Sequence, residues 1–207
     1  MLTAKVVIRG TRPLLWHRFG VEAIALERTE RTGVAGNDPE EWRTTYLATD
    51  DGQLYLEPTY IFGSLRDGAK YTKKGRASIQ KEVAATLQVL DERVLVDRFM
   101  PKGGDPPQEP TEPVYLDVRG VRNPQSKGRN VRYRVAASSG WRAEFRISWD
   151  ETIVDRRQME AAATDAGRYS GLGDGRNVGF GRFEVEKFTV EKAKVEKAKV
   201  ARRKKRA

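Results

Sequence analysis

The segment Gly171-Leu172-Gly173-Asp174-Gly175-Arg176-Asn177-Val178-Gly179-Phe180-Gly181-Arg182-Phe183 is the most informative of the chain. Five glycines alternate or nearly alternate within it: Gly171, Gly173, Gly175, Gly179 and Gly181. Arg176 and Arg182 lie among them. Glycine reaches positive φ without steric cost, so such a loop admits a phosphate or a second stretch of chain at close range. It lacks the Gly-Lys-Ser/Thr ending of a P-loop. It also follows a helical pattern and precedes a strand pattern, which is not the context of a dinucleotide fingerprint.

The flanks set the fold class. Before the loop, Met159, Ala162 and Ala163 share one face of a helix expected over 155–167, and after it 180–190 reads as a final strand. Trp141, Ala143, Phe145, Ile147 and Trp149 alternate along another strand. At the N-terminal end, Leu2, Ala4, Val6 and Ile8 alternate with Thr3, Lys5, Val7 and Arg9 until Gly10 and Pro13 stop the pattern. A hairpin is expected from 43–49 and 53–57 around Asp50-Asp51-Gly52. Further strands are expected over 93–99, 114–118 and 131–135, and helices over 21–30, from Pro58 with Thr59 as cap, and over 78–88. Strands outnumber helices, and helices sit between strand pairs. The expectation is an α+β domain with a ferredoxin-like, RRM-like antiparallel sheet and insertions. It spans 1–189, with inserted loops at about 101–113, which is rich in proline, and 121–132, which is basic.

Composition narrows the chemistry. The 207 residues contain no cysteine and one histidine, so disulfides, thiolate chemistry and histidine-cluster metal sites are excluded. No metal and no cofactor is expected. No apolar run reaches membrane-spanning length, and a cytoplasmic protein without a membrane partner is expected. Lys and Arg number 39 against 29 Asp and Glu, a net charge of +10. Residues 190–207 hold nine basic and two acidic residues, or +7, which leaves +3 for 1–189. That tail is expected to be a flexible arm. In the body, basic residues concentrate at Arg66, Lys70, Lys73, Lys74, Arg76 and Lys81, and again at Arg119, Arg122, Lys127, Arg129, Arg132 and Arg134. Both runs contain glycine and neighbour tyrosine, which favours a polyanion as partner.

Gly63 and Gly68 interrupt the helix that carries Ile61, Phe62, Leu65 and Ala69. Each costs about 1 kcal/mol there, so each implies a close approach by a ligand or by another part of the chain. The segment Pro58-Thr59-Tyr60-Ile61-Phe62-Gly63-Ser64-Leu65-Arg66-Asp67-Gly68-Ala69 and the glycine-rich loop together resemble the RAMP superfamily of CRISPR-associated proteins. The resemblance is greatest to Cas7-type backbone subunits, which bind crRNA, and the order of expected elements agrees over residues 1 to about 190.

The resemblance implies a single-stranded guide RNA as ligand, other effector subunits and further copies along the RNA as neighbours, and target RNA or DNA paired to the guide. Ser64, Arg66 and Lys70 would meet phosphates, with Lys73, Lys74, Arg76, Arg122, Lys127, Arg129 and Arg132 adding charge. The loop from Gly171 to Gly181, with Arg176 and Arg182, would lie against the guide or an adjacent subunit. Tyr60, Tyr71 and Tyr133 are candidates for base stacking. The segment 101–113 or 121–132 would form a projection between subunits. Three alternatives stand beside this. One is a Cas6-like endoribonuclease that processes precursor crRNA with His17 as acid or base. Another is metal-dependent target RNA cleavage using Asp38, Asp50 or Asp51. The third is a structural nucleic-acid-associated protein that binds through its tail.

Overall fold

The computed structural model describes residues 1–18, 39–122 and 128–191. The expected helix over 21–30, Asp38, Lys127 and the tail beyond Glu191 lie outside the described residues. In chain order the elements are β1 (Leu2–Gly10), β2 (Leu14–Leu15), α1 (Trp42–Thr45), β3 (Gln53–Leu56), α2 (Pro58–Gly68), β4 (Lys73–Lys74), β5 (Ala77–Ser78) and α3 (Gln80–Thr86). There follow β6 (Gln88–Val89), β7 (Val94–Phe99), β8 (Val114–Arg122), β9 (Arg129–Ala137), β10 (Arg142–Trp149), α4 (Arg156–Asp165) and β11 (Phe183–Glu191).

The main sheet runs β11-β1-β10-β7-β3, with β6 also on β10, and its pairs are antiparallel. Taking β1, β7, β10 and β11 as the four principal strands, with α2 and α4 in the two crossovers, gives the ferredoxin-like order 4-1-3-2. Register explains which face is covered. Ala4, Val6 and Ile8 lie opposite Ile147, Phe145 and Ala143, and all are buried. Ile61 and Leu65 of α2 and Met159, Ala162 and Ala163 of α4 belong to the same core. The opposite face carries ion pairs: Lys5–Glu144, Arg9–Glu184, Arg142–Glu186 and Arg146–Asp91.

Local chemistry fixes the element ends. Asp155 and Gln158 form a reciprocal capping box at the start of α4. Pro58 opens α2 at its first turn, after Glu57, so Thr59 is inside the helix and is not its cap. Gly10 closes β1 against Trp141, whose indole would lie 2.0 Å from an added Cβ. The buried indoles of Trp16, Trp141 and Trp149 donate to the carbonyls of Tyr55, Arg12 and Val154, so burial leaves these three donors paired.

Two expectations are corrected and one hairpin is new. Residues 43–45 belong to the short helix α1, because Thr44 and Thr45 bond back to the carbonyls of Glu41 and Trp42. The turn before β3 is nevertheless present: Gly52 has φ +85° and its amide donates to Thr49. A hairpin, β4–β5, occupies 73–78, within the first basic run. The hairpin β8–β9 is longer than expected, pairing from Val114↔Ala137 to Arg122↔Arg129. With β2 it forms a second sheet, β2-β9-β8. The segment 101–113 carries no regular element and is exposed except at Pro106.

Candidate nucleic-acid interface

After α4 the chain makes one π-helical turn, Ala166–Ser170, and enters the glycine-rich loop. The loop is sewn to itself and to the N-terminal segment. Leu172 donates to Gly181, Asp174 to Leu15, and Gly181 to Pro13, at 2.9, 2.9 and 2.7 Å. All five glycines have positive φ, between +66° and +93°. At Gly181 an added Cβ would lie 1.8 Å from the Leu172 carbonyl oxygen, whereas at Gly179 it would meet no atom within 4 Å. The glycine density therefore arises mostly from the loop's own folding. Gly171, Gly173 and Gly181 are buried by this packing, although Gly173 also lines a small cavity beside α2. The loop's outer part, a single 3-10 turn Arg176–Val178, projects into solvent with Val178 78% exposed.

Two anchors hold this projection. Phe180 packs on Leu15, Tyr115 and Ala136 of the second sheet, and Arg119 stacks over its ring at 4.6 Å. Arg134, buried on β9, donates to Asp174 at 2.8 Å and to Asp117 at 3.0 Å, and Arg119 also binds Asp117. Burial alone would raise the Asp174 carboxyl. The Arg134 hydrogen bond, the Gly175 amide and the charges of Arg134 and His17 outweigh it and hold the carboxyl below its ordinary range.

The projection divides adjoining cavities. Towards β8–β9 lies one of about 740 Å³, lined by His17, Arg119, Arg122, Arg132, Arg134, Asn177 and Phe180 among others. Towards α2 lies one of about 460 Å³, which includes Lys70, Tyr71, Tyr169, Arg176, Asn177 and Arg182. A smaller one, about 200 Å³, has Thr59, Tyr60, Gly63, Gly173 and Arg176. Asn177 borders the two larger cavities and Arg176 the two beside α2, so the three adjoin around the projection, and this basic-walled region is the furrow.

The sequence-expected residues distribute unevenly over it. Lys70, Arg122, Arg132, Arg176 and Arg182 line the furrow. Lys73, Lys74 and Arg76 are exposed on the β4–β5 hairpin, and Arg129 is exposed at the end of β9. Arg66 is paired with Asp67, which Arg176 approaches from the other oxygen at 3.4 Å. Ser64 is 1% exposed, so it is a core residue of α2 and not a surface for phosphate. Tyr71 is half exposed, Tyr60 is partly buried in the furrow, and Tyr133 packs against the core. His17 Nε2 lies 3.3 Å from Glu41 Oε1, which also accepts from Arg132. Asp50 and Asp51 stand in the turn before β3, where the Thr49 hydroxyl holds the Asp51 carboxyl below its ordinary range. No three His, Asp or Glu side chains converge among the described residues.

Sequence reasoning did not single out Glu41, Asp117, Asp174 or Tyr169. Their roles depend on partners distant in sequence, and the one available signal was the alternation of Arg132 and Arg134 in a strand.

No family model matches this chain, and no curated protein matches it in sequence. Over 92% of its length it is similar to a chain in the cryo-EM structure of the Type III-B Cmr-beta bound to cognate target RNA, with 14% identity and a TM-score of 0.52. It spans 61% of that chain. A chain of a Type IV-B CRISPR complex aligns with 93% of this one and 92% of its own length, at 14% identity and a TM-score of 0.43. The first likeness shows the fold, a mixed α+β architecture of antiparallel sheets with helical insertions. Among the described residues no helix is long and apolar enough to cross a membrane.

Proposed function

We propose that this protein is a guide-RNA-binding backbone subunit of a RAMP-type CRISPR effector ribonucleoprotein, of the Cas7 type, that holds crRNA and assembles with neighbouring subunits. The observation that carries this reading is the furrow. A rigidly anchored loop stands between α2 and the β8–β9 hairpin, and Lys70, Arg122, Arg132, Arg176 and Arg182 converge on it from three elements. Arginine and lysine in this arrangement fix a phosphate backbone without reading bases. Lys73, Lys74 and Arg76 extend the charge beyond α2, and Arg129 extends it along the hairpin. Target RNA or DNA would then be read by base pairing to the guide.

Titration of the full chain with single-stranded RNA tests this. Binding should be strong at low salt and nearly indifferent to sequence. The slope of log K against log salt should fall by about 0.7 for each phosphate contact removed, for example in Arg122→Ala or Arg176→Ala. Several copies should load on a long RNA. A monomer that ignores RNA at low salt overturns the reading.

One contact favours a second reading, an endoribonuclease. His17 Nε2 faces Glu41, with Arg132 on the same carboxylate and Arg119 along the same cavity. With the proton on Nε2, Nδ1 could take the proton of a 2′-hydroxyl as its oxygen attacks the adjacent phosphorus. The P–O5′ bond would break, the 5′-oxygen would take up a proton, and a 2′,3′-cyclic phosphate would remain. This reading requires His17→Ala to abolish cleavage while RNA binding persists.

A further inference from the structure

Two tyrosines in the furrow are not used by phosphate binding. Tyr71 follows α2, and Tyr169 stands on the π-helical turn after α4. Their ring centroids are 4.7 Å apart and their planes are inclined by 43°. Each residue nevertheless remains 50% exposed, so the pair offers open ring surface to the 460 Å³ cavity that both line. The backbone that presents them is constrained on both sides. Gly68 of α2 abuts Ala166, and Gly167 abuts the Phe183 carbonyl, where an added Cβ would lie 2.4 and 2.1 Å from its neighbours. A π turn is uncommon and recurs at functional sites, and here it carries one of the two rings.

The rest of the cavity wall is polar. Gln80 and Asn177 contribute amides, which donate and accept hydrogen bonds; Lys70, Arg176 and Arg182 contribute cations, and Asp67 contributes a carboxylate that Arg66 and Arg176 already engage. Arg182 Nη1 is buried and has no hydrogen-bond partner among the described residues. A donor in that state lacks the acceptor that buried polar groups ordinarily have. Exposed rings, amide edges and cations, one of them a guanidinium with an unpaired nitrogen, suit a flat heteroaromatic base joined to an anionic backbone.

We infer that Tyr71 and Tyr169 form a stacking platform for one unpaired nucleobase of the bound single-stranded RNA, with Lys70 and Arg182 facing its flanking phosphates. This rests on the RNA-binding reading above and adds a place where the protein meets a base. Ring stacking tolerates any base, so the site holds position along the strand more than sequence.

The test uses the full chain and short single-stranded RNAs carrying 2-aminopurine at successive positions. Saturating wild-type protein should change the emission strongly at one position within its footprint. Tyr71→Ala and Tyr169→Ala should remove that change and weaken RNA binding about tenfold, with the salt slope unaltered. Tyr71→Phe and Tyr169→Phe should retain both properties, which separates stacking from a structural role. Lys70→Ala should do the opposite of the alanine variants, keeping the emission change while lowering the salt slope by about 0.7. RNA binding by the wild type with no position-dependent emission change, or with no effect of either alanine variant, overturns the platform and leaves the groove standing. Absence of wild-type RNA binding at low salt overturns both.

Discussion

Gly63 and Gly68 look alike in the sequence, two helix-weakening glycines in one helix, yet their surroundings are opposite. Gly68 lies against Ala166, where an added Cβ would stand 2.4 Å from backbone atoms, while Gly63 has nothing within 4 Å and borders the furrow. Gly68→Ala should therefore cost about 1–3 kcal/mol through overpacking. Gly63→Ala should raise stability by about 0.5–1 kcal/mol. On the proposed function, it should also weaken RNA binding, because the open backbone is then a surface for the strand. Thermal melts and RNA titration of the same two variants separate these outcomes. The sequence shows that each glycine needs a reason, but only the distant partner reveals which. The same holds for Arg134, which reads as one more cation in a basic run and is in fact the buried tie between Asp117 and Asp174. Arg134→Met should cost about 2 kcal/mol, because buried Asp117 keeps only Arg119 as a partner and Asp174 loses its cation. The Asp174 carboxyl has a depressed pKa in the fold, so its contribution is complete above the unfolded carboxylate value, about 3.9, and is lost as pH falls through the lower folded value. Asp174→Asn should flatten that acid limb in melts taken between pH 5 and pH 2.

Strands buried on one face were legible because their alternation survives in the sequence, as in β1 and β10. Elements without such a face were not. β8 continues from Val118 through Arg119, Gly120, Val121 and Arg122, where exposed residues and glycine read as a loop, and its pairing comes entirely from β9. In α1 two threonines favour a strand by propensity, but their hydroxyls bond back to the preceding turn. The β4–β5 hairpin is two residues on each side, below what periodicity can resolve. It is tethered at Thr72, whose hydroxyl donates to Asp165 at 2.7 Å, and its lysines touch nothing in the core. Replacing Lys73, Lys74 and Arg76 together by serine should leave the melting temperature nearly unchanged. If all three meet phosphates, the salt slope for single-stranded RNA should drop by about 2. An unchanged slope would remove this hairpin from the interface.

Element order along the chain carried the fold class, since helices fall between strand pairs. It did not carry the lateral order of the sheet, which depends on long-range pairing, nor the second sheet that β2 builds with the hairpin. The end of the domain also moves: β11 runs to Glu191, with Val190 opposite Ala4 and packed on the core. Deleting 192–207 should therefore preserve thermal stability, whereas a cut before Val190 should lower it. The nine basic residues so removed make RNA binding weaker and less salt-dependent without abolishing it, if the furrow is the main site. The ladder on the uncovered sheet face bears on this as well. Four cations there are matched by four anions, Lys5, Arg9, Arg142 and Arg146 against Glu144, Glu184, Glu186 and Asp91. Among the described residues, charge on the sheet face is thus largely paired, whereas Lys70, Arg122 and Arg182 line the furrow. On the proposed function, a polyanion diffusing towards the molecule would feel a torque before it feels a contact, and successive copies arriving on one strand would all turn the same side to it.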